Sequence, residues 1–212
     1  MADRTHGAQA PPTETSVRHQ DWDGRDLSGQ VHTRVAFIDV DLTEATGTGA
    51  VFTECTFRDC RFNASVHTEG AFLNCTFSGC SFFDVTFVRC KVLGSMFDRC
   101  TFGLLRVTGG DWSFAGLPAA DLRGATICGA RMREADLTGA RCHGATLRGN
   151  DFAGASLHGA DLSGADLRSS DLTGLDPWHV TLAGAVIDVD QAVTLAVAMG
   201  LDVRPDLDAT DR

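Results

Sequence analysis

A large apolar residue recurs every fifth position from Leu27 to Ile187 without a slip of phase. Of the 33 positions in that series, 28 are Phe, Leu, Ile, Val, Met or Trp; the exceptions are His32, Gly47, His67, Cys142 and Pro177. A helix repeats every 3.6 residues and a strand every two, so neither accounts for a spacing of five. A coil with straight sides of five residues does. Four such sides close a turn of twenty, with the large residue and the small one two places before it both pointing inward. Residues twenty apart then stack at about the 4.8 Å separation of paired strands, and about eight coils make a rod whose stability is a sum over neighbours.

This register places Phe37, Phe57, Phe77 and Phe97 in one internal ladder and Phe62, Phe82 and Phe102 in another, below Leu122. From about residue 117 the interior changes from Phe to Leu. His32 and His67 fall at inward positions and read as tolerated defects rather than ligands. Gly47, in the stack with His67, predicts loose first coils. Six of the eight cysteines, at 55, 60, 75, 80, 90 and 100, occupy the small inward slot that Ala fills in the C-terminal half. Their spacing of five is the spacing of the sides, so "TECTFRDCRF" describes packing and not a metal motif. Free Cys serves there as a small apolar group.

The blocks "ADLSGADLRSSDL" at 160–172 and "ADLRGATICGARMREADLTGARCHGATLRG" at 120–149 resemble the pentapeptide-repeat proteins. The resemblance covers residues 25–187 and implies an all-β fold, a right-handed quadrilateral β-helix. The end of the chain, "LDPWHVTLAGAVIDVDQAVTLAVAMGL" at 175–201, is similar to the MfpA-type fluoroquinolone-resistance proteins that interact with DNA gyrase. The unbroken phase fits them better than their Qnr relatives, which carry projecting loops. What this resemblance implies is a homodimer joined at its C-terminal end, a rod that imitates duplex DNA, and DNA gyrase as protein partner.

The expected organisation is a disordered arm over 1–24, the β-helix over 25–187, a helix over 188–201 and a flexible acidic tail over 202–212. Asp188 and Gln191 form a capping-box pattern, Asp190 suits the first turn and Gly200 a stop. Val189, Val193, Ala196 and Val197 share a face of that helix. It either plugs the open end of the coil or also dimerises; Pro177 and Trp178 complete the candidate interface. The polar N-terminus lacks the apolar core of a signal peptide and no apolar run reaches the length of a membrane helix, so a cytoplasmic protein without a membrane partner is expected.

The formal charge is −10, with 28 acids against 18 bases, and this disfavours direct contact with nucleic-acid phosphates. Residues 25–187 hold 18 acids and 14 bases, a net of −4; the first 24 residues add −2 and the last 25 add −4. DNA imitation needs uncompensated carboxylates, and the candidates are Asp121, Asp136, Asp151, Asp161, Asp166, Asp171 and Asp176. A solvated face is the competing account, because Arg131 and Arg141 alternate with aspartates one coil away and Arg148 stacks with Arg168. Scattered histidines and the absence of a Gly-rich phosphate loop give no catalytic constellation, so a non-enzymatic protein without cofactor or metal is expected. A scaffold repeat protein, or an immunity protein against a gyrase poison, remain alternatives.

Overall fold

The structure, a computed structural model, describes residues 12–204. Its strands are three or four residues long, all parallel, and each residue faces the one twenty positions away, as Phe37 faces Phe57 and Phe57 faces Phe77. Four walls result. The first stacks Thr15–Arg18, Val35–Ile38, Thr56–Arg58, Thr76–Ser78 and Met96–Asp98, then continues by single bridges through Gly116 and Asp136 to Ser156. The second is built of single bridges, from Asp21 to Thr101 and again from Asp121 to Thr181. The third runs from Asp26 through Thr46–Thr48 and Thr126–Cys128 to Val186, and the fourth from Val31–Thr33 to Asp171.

The sequence block explains each corner. Its fifth slot turns through the left-handed region, with φ of +68° at Gly144 and +54° at Glu44. The N-terminal half fills this slot largely with non-glycine residues, each carrying a cost on the order of 1 kcal/mol that the glycines of the C-terminal half avoid. The aspartate of the second slot accepts from the backbone N–H two residues on, as Asp136 does from Thr138 and Asp171 from Thr173. That Asx turn pins the corner, which is the local reason for "AD-L" in this repeat.

Inside, the rings of Phe37, Phe57, Phe77 and Phe97 lie parallel with centroids 4.8, 4.7 and 4.7 Å apart. Phe62, Phe82 and Phe102 follow at 4.8 and 5.5 Å. Such rings each bury some 150–250 Å², so removing one from the middle of a ladder costs about 3–5 kcal/mol. The thiols donate to carbonyls of the coil below, Cys60 to Phe37 and Cys80 to Phe57. The cysteines form no disulfide among the described residues, and hydrogen bonding to Cys100 together with burial pushes the Cys80 thiol up to about 12. Cys80 is thus a packing group and not a reactive thiolate.

Two expectations need correction. The solenoid begins before residue 25: Thr15–Arg18 pairs with the next coil, and Val17 and Trp22 extend the inward series, so 12–24 are not an arm. Residues 1–11 lie outside the described residues. At Gly47 a Cβ would make ordinary contact with Leu27 Cβ at 3.4 Å and Ala50 Cβ at 3.5 Å. The helix spans Val189–Ala198 rather than 188–201, with Asp188 as N-cap and Met199 as C-cap. Of the expected tail, 202–204 are exposed and 205–212 lie outside the described residues.

Candidate functional site

The C-terminal end is assembled around one buried amide. Asp188 accepts from Gln191 N at 3.0 Å while Gln191 Oε1 accepts from Asp188 N at 2.9 Å, so the capping box closes in both directions. The same Gln191 side chain is buried and donates from Nε2 to the carbonyls of Leu167 at 2.6 Å and Ser170 at 2.7 Å. Those carbonyls belong to the coil beneath the helix, so the plug satisfies an edge that would otherwise be open. Leu195 packs against the core beside it.

With Gln191 and Leu195 turned inward, the opposite face is left to solvent. Val189 is 79 % exposed, Val193 42 % and Val197 57 %, and Met199, Leu201 and Val203 beyond the helix are also exposed. Ala196 is half-buried. In the last coil Pro177 is half-buried and Trp178 is 69 % exposed. Proline has no N–H and interrupts the wall: Gly159 N donates to His179 O, one residue later than the regular register. Asp176 holds the resulting turn by accepting from Trp178 N at 3.0 Å and from His179 Nδ1 at 2.6 Å.

The seven candidate acids divide by their partners. Asp121 is bound by Arg123 at 2.7 Å and Arg141 at 3.1 Å, and Asp166 by Arg168 at 2.7 Å with Arg148 at 3.8 Å. The Arg123 and Arg168 guanidiniums hold these two carboxyls down to about 2. Asp151 pairs with Arg133. Among the described residues Asp136, Asp161 and Asp171 make no ion pair; the side chains of Ser163 and Thr173 hold Asp161 and Asp171 below the ordinary carboxylate range. Asp161, Asp166, Asp171 and Asp176 sit on four successive walls, so they ring the rod near its end and do not form one row. The stacked Arg148 and Arg168 share Asp166, which removes part of the positive patch their stacking implies. The Asx role of these acids was missed in the sequence; Ser or Thr two places after Asp was the available sign.

Residues 14–102 match the SV2A/B/C luminal domain family, and residues 119–149 and 144–174 match pentapeptide repeats. The chain is a pentapeptide-repeat protein. Its repeat fold is similar to that of a trypsin-treated form of QnrB1, a plasmid-mediated fluoroquinolone resistance protein, at 22% identity over 91% of this chain and 99% of that one, with a TM-score of 0.51. HetL, a pentapeptide-repeat protein involved in heterocyst differentiation regulation in the cyanobacterium Nostoc, aligns at 22% identity over 82% and 86% of the two chains, with a TM-score of 0.43. A sequence search of curated proteins finds no match. Among the described residues of this repeat protein, no group of three or more His, Cys, Asp or Glu could hold a metal, and no helix is long and apolar enough to cross a membrane.

Proposed function

We propose that this pentapeptide-repeat protein is a non-enzymatic cytoplasmic DNA mimic that dimerises through its C-terminal end and binds DNA gyrase, modulating supercoiling and quinolone action. The observation that carries the reading is the end of the rod. There an exposed Val189, Val193 and Val197 face adjoins a coil ringed by Asp161, Asp171 and Asp176, none of them ion-paired to arginine or lysine. A two-fold axis through that face buries an apolar patch that a monomer leaves in water and doubles the number of open carboxylates at the centre of the rod. The likeness in fold to a fluoroquinolone resistance protein supports the target class.

A second reading is a scaffold repeat protein without a topoisomerase partner. It is favoured by the Asx turns, which give every aspartate of the second slot a structural task, and by the arginines that neutralise Asp121, Asp151 and Asp166. Supercoiling by purified gyrase, titrated with this protein with and without a fluoroquinolone, separates the two. A change in supercoiling or in drug-induced cleavage at micromolar protein is the expected result. No change in either sinks the gyrase reading and leaves the scaffold.

A further inference from the structure

The backbone pairing of the second wall has a breach between Thr101 and Asp121. Below it the carbonyl of each cysteine in the small inward slot accepts from the coil above, Cys60 O from Ser81 N and Cys80 O from Thr101 N, both at 3.0 Å. Cys100 O, next in the column, has no backbone partner among the described residues. The neighbouring walls stay paired at this level, as Phe97 N to Gly116 O and Thr126 N to Leu105 O show, so the coils keep their spacing and the gap is local. A cleft of about 440 Å³ opens at the gap, with Cys100, Phe102, Ala119 and Asp121 in its lining. Cys100 is partly exposed there, whereas Cys60 and Cys80 are buried.

These three thiols form one column. Residues in register on parallel strands stand about 4.8 Å apart at Cα and Cβ alike. That Cα spacing suits a disulfide, while the Cβ spacing exceeds the usual 3.8 Å by about 1 Å, so a bond requires one cysteine to move toward the other. Cys60 and Cys80 are pinned from above by their carbonyl rungs. Cys100 is not, and the Cys80 thiol below already hydrogen-bonds to it. Cys128, also partly exposed, faces out from the third wall above Thr108 and has no thiol in its column.

We infer that Cys100 is a peroxide-reactive modification site with Cys80 as its resolving thiol, the two closing a reversible disulfide between adjacent coils below the breach. The Cys100 thiolate attacks one oxygen of a hydroperoxide; the O–O bond breaks, Cys100 becomes a sulfenic acid and the other oxygen leaves as hydroxide. The Cys80 sulfur then attacks the Cys100 sulfur, the S–O bond breaks and that oxygen leaves as water. Two thiols and one hydrogen peroxide give one disulfide and two waters. Hydrogen bonding to Cys100 and negative charge there raise the Cys80 thiol to about 12, which keeps Cys80 protonated in the reduced protein. A neutral sulfenic acid at Cys100 carries no such charge, so the first step readies the second. A bond closed at a stretched Cβ spacing is readily reduced again, which suits a switch better than a permanent staple.

The test exposes the reduced full-length protein at neutral pH to about 1 mM hydrogen peroxide and alkylates the remaining thiols before digestion. Trypsin should then release residues 62–89 joined to residues 100–106, fragmentation should place the bond on Cys80 and not on Cys75, and dithiothreitol should separate the two peptides. Ala120 and Ala140 fill the same slot in the coils above, so Cys80→Ala and Cys100→Ala keep the fold. In Cys80→Ala a dimedone label accumulates on Cys100 at least about tenfold faster than on Cys60. In Cys100→Ala no such cross-link forms. A Cys100 that labels no faster than Cys60 overturns the inference. So does a Cys100 that oxidises in the parent without joining Cys80, because the wall then holds the two sulfurs apart, or a cross-link that forms only in denaturant.

Discussion

Gln191 reaches down from the C-terminal helix and donates to the carbonyl of Leu167 at 2.6 Å, tying the plug to the last regular coil. It donates also to Ser170 and accepts from Asp188, so one buried side chain satisfies three backbone groups. Gln191→Leu keeps the volume and leaves these groups unpaired at a buried seam. We expect a loss of about 3 kcal/mol, read by chemical denaturation. A loss within about 0.5 kcal/mol would mean that water replaces the amide at no cost.

The face opposite Gln191 makes a separable prediction. Val193 and Val197 are exposed and outside the core, so Val193→Glu or Val197→Glu leaves the melting temperature of the monomer nearly unchanged. In a C-terminal dimer each variant places like charges across the two-fold axis. Light scattering should then report a monomer where the unmodified protein is a dimer. Variants that stay dimeric reduce the helix to a plug.

What the sequence disclosed follows from which forces are periodic. The five-residue rhythm placed Phe37 over Phe57 and Cys60 under Cys80, because stacking repeats the same contact in every coil. The Asp188 and Gln191 capping box was legible for the same reason, being local. The second role of Gln191 was not, since Leu167 and Ser170 are distant in sequence and an amide at a helix N-terminus has a sufficient explanation in the cap. Val17 and Trp22 were in phase, yet the polar residues around them concealed the first coil. The breach between Thr101 and Asp121 leaves only indirect signs: Pro118, and the change from a Phe interior to a Leu one.

Two glycines separate steric need from conformational preference. At Gly110 φ is +92° and a Cβ would lie 2.2 Å from Cys90 O, a backbone atom that cannot step aside. At Gly144 φ is +68° and a Cβ meets nothing within 4 Å. Gly110→Ala should cost about 3 kcal/mol, and Gly144→Ala about 1 kcal/mol from the left-handed backbone alone. Equal losses in denaturant melts would show that the fourth wall shifts to make room.

The last prediction concerns pH. His67 is fully buried, its ring stacked 5.2 Å from Phe87 and edge-on to Phe72, and Nε2 meets Ser65 Oγ at 3.0 Å. Its Nδ1 has no partner among the described residues. Burial drives the imidazole from an ordinary 6.5 down to about 4. A lowered histidine value means that the unfolded chain takes up the proton first. Stability from this group is therefore complete above pH 6.5 and falls as pH drops toward 4, by roughly 3 kcal/mol over that window. Asp121 and Asp166, held at about 2, add their own loss only below the ordinary carboxylate range, so the two windows are distinguishable. His67→Phe extends the ring stack into the same slot and removes the titrating group, while Ser65 keeps its bond to Phe62 O at 2.7 Å. Denaturation midpoints of this variant should decline less between pH 6.5 and 4 than those of the parent, the remaining slope coming from groups such as half-buried His32, whose imidazole burial also lowers. A parallel decline in both would place the pH sensitivity elsewhere in the rod.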